Sequence, residues 1–170
     1  MTKEIHRKYL EIKSLEDLNE VERPSESYSL NLTISKDFQI NKFFYKQIGK
    51  KHHWIDRLEW TDQNWINYIS QENVSTFILK DYENPIGYYE LIFHKHSEEA
   101  EISYFGILEE YFGKKLGGFL LSEAIKNSFF SGAKRVWVHT CSLDHKNALK
   151  NYISRGMDIY KSEILRANFI

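Results

Sequence analysis

The sequence predicts one domain of the mixed α/β (α+β) class, with helices on both faces of a central, mostly antiparallel sheet. Its 170 residues are about the length of a single domain, and 42% of them are hydrophobic, enough for one continuous core. Strand-like and helix-like segments alternate along it. Two prolines, eight glycines and no Gly/Ser-rich linker interrupt the chain, so we treat residues 1–170 as one domain.

In the first part of the chain, two predicted strands precede two predicted helices. Apolar residues alternate with polar ones over residues 9–13 and 28–35, as in half-buried strands. Apolar residues then recur at i, i+3, i+4 and i+8, which predicts a helix that ends at Gly49. Thr61 or Asp62 can accept the hydrogen bonds that begin a second helix.

The middle of the chain predicts three consecutive strands, over residues 75–81, 86–94 and 100–108. The turn residues around Pro85 separate the first two of them, and a polar stretch after His94 separates the second from the third. Because short turns join antiparallel neighbours, we expect these strands to form an antiparallel meander.

The last part of the chain alternates helix and strand. A long helix over about residues 113–130 is followed by a strand over 135–141 that is rich in β-branched and aromatic residues. A shorter helix follows, which Asp144 would cap and Gly156 would close, and residues 157–165 predict the last strand. This order favours a mixed sheet with helices on both faces.

Charge and composition exclude several classes of function. The chain has 23 basic and 24 acidic residues, so its net charge of −1 gives no electrostatic reason to expect nucleic-acid binding. No apolar run approaches the roughly 20 residues that cross a bilayer, and the first fourteen residues lack the apolar segment of a signal peptide. Cys141 is the single cysteine, which fits a reducing compartment. We expect a cytoplasmic protein with neither nucleic-acid nor membrane partners.

The stretch GKKLGG, Gly113 to Gly118, is the strongest signal of function. It lies at the start of the long predicted helix, whose first N–H groups have no intrahelical partner and attract anions. Glycines let a phosphate approach the backbone, and the lysines add positive charge. Each glycine costs up to about 1 kcal/mol in a helix relative to alanine, which argues against packing as their reason. The stretch is neither GxGxxG nor a Walker A sequence.

Three segments together resemble the GNAT superfamily of acetyl-CoA-dependent N-acetyltransferases: the strand at 100–108, the loop at 111–118, and DHKNALKNYISRGM at 144–157. A weaker likeness extends to WIDRLEW (54–60) and PIGYYEL (85–91). The resemblance implies a GNAT-like sheet with a V-shaped split between its central strands. It also implies an acyltransferase that moves acetyl from acetyl-CoA directly to a primary amine of a small molecule or protein in a ternary complex.

The resemblance implies where coenzyme A binds. Gly106 and Ile107 would lie beside the pantetheine, and the following loop would hold the pyrophosphate through its backbone amides. The loop residues are Phe112, Gly113, Lys114, Lys115, Leu116, Gly117 and Gly118. Phe112 and Lys115 stand where the family usually has arginine or glutamine and glycine, and His145 stands for the usual asparagine. A non-catalytic acyl-CoA sensor is therefore the alternative to an enzyme.

Catalytic residues also follow from the resemblance. The acceptor arrives as an ammonium ion, so a base must remove a proton. Glu101 matches the position of a base carboxylate in some family members, while Glu90 on the neighbouring strand and His139 are alternatives. Tyr152, four residues before Gly156, matches the tyrosine that protonates the departing thiolate.

In the resembled family, the segment between the first two helices closes over the acceptor. Here that segment is aromatic and charged: Trp54 and Trp60 would form an apolar wall, and Asp56 or Glu59 would hold a cationic amine. Alternatively, Asp56 pairs with Arg57 or a nearby lysine in a packed loop. Glu90 is also expected near the acceptor.

Two further expectations concern metals and assembly. His139, Cys141 and His145 have no evident fourth ligand nearby, so we expect no metal site. The tail ILRANFI ends in apolar residues that could pack on their own subunit or on a neighbour, which leaves a homodimer open.

Overall fold

Four α-helices pack on a seven-stranded sheet in the computed structural model, which describes residues 2–33 and 36–168. The strands are β1 (Thr2–Ile12), β2 (Tyr28–Leu32), β3 (Val74–Asp81), β4 (Asn84–His94), β5 (Glu99–Ile107), β6 (Arg135–Cys141) and β7 (Asp158–Asn168). The helices are α1 (Phe38–Gly49), α2 (Asp62–Ile69), α3 (Leu116–Phe130) and α4 (Ala148–Ser154). The predicted mixed α/β class is confirmed. The end of the predicted strand 28–35 and the last two residues of the tail lie outside the described residues.

The strands are arranged in the order β2-β3-β4-β5-β6-β1-β7. Neighbours are antiparallel except β5 and β6, which run parallel, so the predicted meander of β3, β4 and β5 is confirmed. β1 lies between β6 and β7 and begins at Thr2, seven residues before the predicted start. Residues 2–8 are mostly polar and do not alternate with apolar residues. They form a strand because they pair with β7, not because of a pattern in their own sequence.

The sheet opens between its two parallel strands. β5 and β6 share only three paired positions, which end at Glu101 opposite Trp137. Beyond them, the edge of β5 as far as Ile107 has no strand partner among the described residues, so the expected V-shaped split is present. β5 also carries one extra residue, Ser103, relative to β4, and such a bulge bends a strand.

The two faces of the sheet are covered by different helices. α3 covers one face with side chains that include the fully buried Leu120 and Ile125, and these form the main core. α1 covers the other face, where Phe44 stacks on Tyr88 with the ring centroids 5.1 Å apart. Helices therefore lie on both faces, as predicted. No helix among residues 2–33 and 36–168 is both long and apolar enough to span a membrane.

Two predicted helix starts are wrong. α3 begins at Leu116 instead of Gly113, because Gly113 (φ 79°) and Lys115 (φ 62°) are in the left-handed region and cannot continue a right-handed helix. α4 begins at Ala148, and Asp144 does not cap it. The Asp144 carboxylate instead accepts hydrogen bonds from the Thr140 hydroxyl (2.6 Å) and a backbone N–H, which closes the turn after β6.

Two predicted helix ends follow the expected chemistry. Thr61 caps α2, and its hydroxyl and the Asn64 side chain form a reciprocal capping box. Gly156 follows α4 with φ 103°, and a Cβ atom there would lie 2.1 Å from the backbone oxygen of Asp17. Glycine is therefore required at this turn both by conformation and by space.

Candidate active site

A cleft of about 890 Å³ follows the split between β5 and β6. At one end it is lined by the turn that precedes α3, and at the other by the segment between α1 and α2. The unpaired edge of β5 joins the two ends. Both ends of the predicted site therefore open into one cavity.

The backbone forms the wall of the cleft in the turn before α3. The described residues offer no acceptor to the N–H groups of residues 113–115, and the first N–H groups of α3 have none within the helix. The left-handed residues Gly113 and Lys115 reverse the chain here, so that successive N–H groups are left without partners. This backbone can bind an anion.

The side chains of the turn differ in their positions. Every predicted coenzyme A residue except Lys114 lines the cleft, including Gly106 and Ile107 on β5. The Lys114 side chain does not line the cleft, and its ammonium lies 5.0 Å from the centroid of the Tyr111 ring, so only its backbone N–H is available to the predicted anion site. Phe112 is partly exposed and packs edge-on against His145.

Gly117 and Gly118 provide a matched pair of substitutions. A Cβ atom at Gly118 would lie 2.3 Å from Arg155 Nη1 and 2.8 Å from Val21 Cγ2, whereas one at Gly117 meets only Asn151 Nδ2 at 3.5 Å. We expect Gly118→Ala to lower the free energy of unfolding by about 1–3 kcal/mol through overpacking. Gly117→Ala should not lower it, because alanine is the better helix former. Urea unfolding of both variants tests this, and equal losses would contradict the packing argument.

Tyr152 on α4 faces the cleft. It is 6% exposed, lines the cavity, and its ring centroid lies 6.3 Å from that of Phe105 on β5. Its hydroxyl makes no hydrogen bond with the described residues. Burial, reinforced by the Asp144 carboxylate, raises the pKa of Tyr152 above its ordinary value. The phenol therefore keeps its proton and can donate it into the cleft.

Glu101 lies where the strands separate. It lines the cleft, its side chain is 18% exposed, and Oε2 lies 2.9 Å from His94 Nε2. The His94 ring stacks on Trp137 with the ring centroids 6.2 Å apart. His94, which does not line the cleft, thus fixes one carboxylate oxygen of Glu101.

His139 on β6 also faces the cleft. Its ring centroid lies 5.5 Å from that of Tyr9. The side chain of His139 is exposed to the open cleft, but partial desolvation by the neighbouring groups lowers its pKa, and the positive charge of Arg7 lowers it further. The imidazole is therefore neutral at neutral pH and does not repel a cationic acceptor.

The position of Glu90 corrects the expectation that it contacts the acceptor or serves as the base. It is fully buried beneath the cleft and does not line it. Its carboxylate accepts hydrogen bonds from Arg57 Nη1 (2.9 Å), the Tyr68 hydroxyl (2.8 Å) and Asn41 Nδ2 (2.9 Å). A carboxylate with these partners is an internal counter-ion, not a group that exchanges protons with a substrate.

Trp54 and Asp56 both line the end of the cleft that is formed by the segment between α1 and α2, the predicted acceptor end. The Trp54 ring packs edge-on against Tyr104, and its Nε1 donates to Asp144 Oδ1 at 3.3 Å. Asp56 is exposed, and its Oδ2 lies 3.5 Å from the Tyr104 hydroxyl. Arg57, which also lines this end, was not predicted as a site residue; an arginine between aromatic residues in WIDRLEW was the signal for it.

The described residues contain no group of side chains that is suited to bind a metal ion. Within residues 2–33 and 36–168, no three His, Cys, Asp or Glu side chains are grouped so that they could hold a metal ion. The polar groups of the cleft are instead backbone N–H groups, carboxylates, imidazoles and phenols.

Comparison with known sequences identifies the family. Residues 35–157 match the sequence profile of the acetyltransferase (GNAT) family. The matched segment is most of the chain and includes the split strands, the turn before α3 and Tyr152. The protein therefore belongs to the GNAT acetyltransferase family. No protein with a curated description matches its sequence.

Solved structures support the same fold. A GCN5-related N-acetyltransferase from Sphaerobacter thermophilus has a TM-score of 0.71 at 14% identity, over 95% of this chain and 50% of its own. A conserved protein of unknown function from Staphylococcus epidermidis has a TM-score of 0.66 at 14% identity, over 96% and 61%. The aminoglycoside acetyltransferase meta-AAC0020, from an uncultured soil sample, has a TM-score of 0.64 at 14% identity, over 78% and 90%. The chain thus spans about half to three fifths of the first two proteins.

Proposed function

We propose that the protein is an N-acetyltransferase that uses acetyl-CoA and acetylates a primary amine of a small molecule or peptide. The observation that carries the proposal is one continuous cleft, which runs along the unpaired edge of β5 from the turn at residues 113–118 to Tyr152 and Glu101. The unpartnered N–H groups of the turn suit a diphosphate, and the free edge of β5 suits the amide groups of pantetheine.

We further propose that Glu101 is the base and Tyr152 the acid. Acetyl-CoA supplies the activated thioester carbonyl. Glu101 takes a proton from the acceptor ammonium through water, and the amine nitrogen then forms a bond to the acetyl carbon as the carbon–sulfur bond breaks. Tyr152 donates its proton to the departing thiolate, and the new amide nitrogen gives up its second proton, which returns through water to the Tyr152 oxygen. No covalent bond to the protein is formed in this scheme.

The choice of Glu101 rests on access. Glu90 has no surface in the cleft, whereas Glu101 lines it where the strands separate. His139 is also accessible and is the alternative base, while Glu101 is chosen because it matches the base carboxylate of some members of the family. The neutral ring of His139 favours the approach of an ammonium ion.

A cytoplasmic location is part of the proposal, since the free Cys141 thiol fits a reducing compartment.

Release of free coenzyme A thiol from acetyl-CoA in the presence of a panel of primary amines tests the proposal. The panel should contain amino acids, polyamines, aromatic amines and an aminoglycoside, since one structural neighbour is an aminoglycoside acetyltransferase. We expect release that depends on the amine and is lost in Tyr152→Phe. Binding of acetyl-CoA without release on any amine would contradict acetyl transfer and leave an acyl-CoA-binding module.

A further inference from the structure

Arg57 lies in a box of aromatic rings at the acceptor end of the cleft. The arginine is 5% exposed, and its charge is paired with the fully buried Glu90. The distances from its guanidinium carbon to the ring centroids are 4.1 Å for Tyr68, 4.3 Å for Tyr104, 4.7 Å for Trp60, 5.4 Å for Trp65 and 5.8 Å for Tyr45. Rings that surround a guanidinium hold it in one orientation.

Part of this guanidinium has no partner. The Glu90 carboxylate accepts hydrogen bonds from Nη1 alone. Among the described residues, nothing accepts a hydrogen bond from Nε or Nη2. Neither atom is one of the fully buried polar atoms that lack a partner, so both keep some contact with solvent. Arg57 contributes to the lining of the cleft. The small exposed part of this buried cation therefore presents free N–H donors to the acceptor cavity.

The geometry of these donors selects the ligand. A guanidinium offers parallel N–H groups in a rigid plane, which match the two oxygens of a carboxylate. The surrounding aromatic rings exclude water and strengthen such a contact. Because these N–H groups need an acceptor, the ammonium of the substrate belongs instead with the carboxylates of Asp56 and Glu101, which line the same cavity.

We propose that Arg57 is a specificity-determining residue that binds a carboxylate of the acceptor, so that the substrates are amino acids or related amines that carry a carboxylate. The inference rests on the proposed acetyl transfer and adds the substrate class to it. The free N–H donors of Arg57 and the carboxylates of Asp56 and Glu101 would then receive the two ends of one zwitterion.

Matched acceptor pairs test this directly. Glycine, β-alanine, γ-aminobutyrate and para-aminomethylbenzoate are each compared with the corresponding carboxamide, which keeps the amine and removes the charge. For at least one pair we expect wild-type kcat/KM to be tenfold or more higher for the carboxylate, through a lower KM. Arg57→Lys keeps a cation for Glu90 but loses the planar donors, so that preference should fall at least fivefold while the KM for acetyl-CoA is unchanged. Comparing variants cancels differences in the amine pKa within a pair.

Arg7 provides the control. It lines the same cleft, and its Nη1 lies 3.6 Å from the Glu163 carboxylate. Arg7→Lys should retain the carboxylate preference. Loss of the preference in Arg7→Lys but not in Arg57→Lys, or its absence from every wild-type pair, would overturn the assignment to Arg57.

A binding measurement separates this inference from acetyl transfer and does not depend on the folding of a variant. Benzoate should raise the melting temperature of the wild-type protein, and benzamide should not. If benzoate binds but no amine is acetylated, the carboxylate site stands and the transfer proposal fails. If amines are acetylated without preference and benzoate has no effect, acetyl transfer stands and the carboxylate site fails.

Discussion

Tyr152→Phe is expected to lower kcat about 10²–10⁴-fold, the usual effect of removing a positioned acid. The substitution deletes one hydroxyl that has no hydrogen-bond partner among the described residues, and it keeps the ring against Phe105. Acetyl-CoA affinity and the free energy of unfolding should therefore hardly change. Single-turnover kinetics with a saturating amine measure the effect, and a change in kcat of less than severalfold would contradict the role of the acid.

Tyr89→Phe is the matched control. Tyr89 is fully buried, donates no group to the cleft, and is hydrogen-bonded to Asn127 at 2.6 Å. Loss of this hydrogen bond should lower the free energy of unfolding by about 1 kcal/mol without changing kcat.

The raised pKa of Tyr152 adds a pH prediction for the wild type. Because the phenol keeps its proton beyond the ordinary value of 10, kcat should show no loss from its ionisation between neutral pH and about pH 10.

Glu101→Gln is expected to lower kcat/KM about 10²–10⁴-fold near neutral pH. Without the carboxylate, only the small neutral fraction of the amine reacts, and that fraction grows tenfold per pH unit below the amine pKa. The deficit should therefore shrink as the pH approaches the amine pKa. A pH–rate profile of the variant beside the wild type tests this, and a deficit that is independent of pH would contradict the role of a base.

His139→Asn separates the two candidate bases that line the cleft. Its imidazole has a lowered pKa and takes no proton in the proposed scheme, so kcat/KM should change only severalfold. A loss as large as that of Glu101→Gln would move the role of the base to His139. Thiol release at several pH values with one amine is sufficient for the comparison.

Local chemistry made much of the fold predictable. The three middle strands carry their own apolar pattern and short turns, and Thr61 carries its own capping box, so each needs no distant partner. β1 was only partly predicted because its first residues are held by β7, which is far away in the sequence. Asp144 was expected to cap α4, but its carboxylate closes the turn after β6 instead, and a local pattern does not choose between these two uses.

The candidate site likewise has features that the local sequence predicts and features that depend on distant parts of the chain. The turn at residues 113–118 was recognisable from its three glycines, although close packing against Arg155 and Val21 accounts for Gly118 and the left-handed conformation of Lys115 was not evident. Glu90 looked accessible because alternation along a strand does not reveal what covers each face. Its burial follows from a long-range pairing with Arg57, 33 positions away. The aromatic box around that arginine likewise exists only in the folded chain.

The central claim is that the turn before α3 and the split strands bind coenzyme A, and titration calorimetry of acetyl-CoA into the wild-type protein and Gly117→Ala measures it most directly. We expect saturable binding of one molecule per chain that weakens as salt screens the diphosphate. Binding should also be weaker in Gly117→Ala, which adds a methyl group beside the free N–H groups without a close contact and should not lower the free energy of unfolding. A wild-type protein that is folded yet takes up no acetyl-CoA at millimolar ligand would contradict the account.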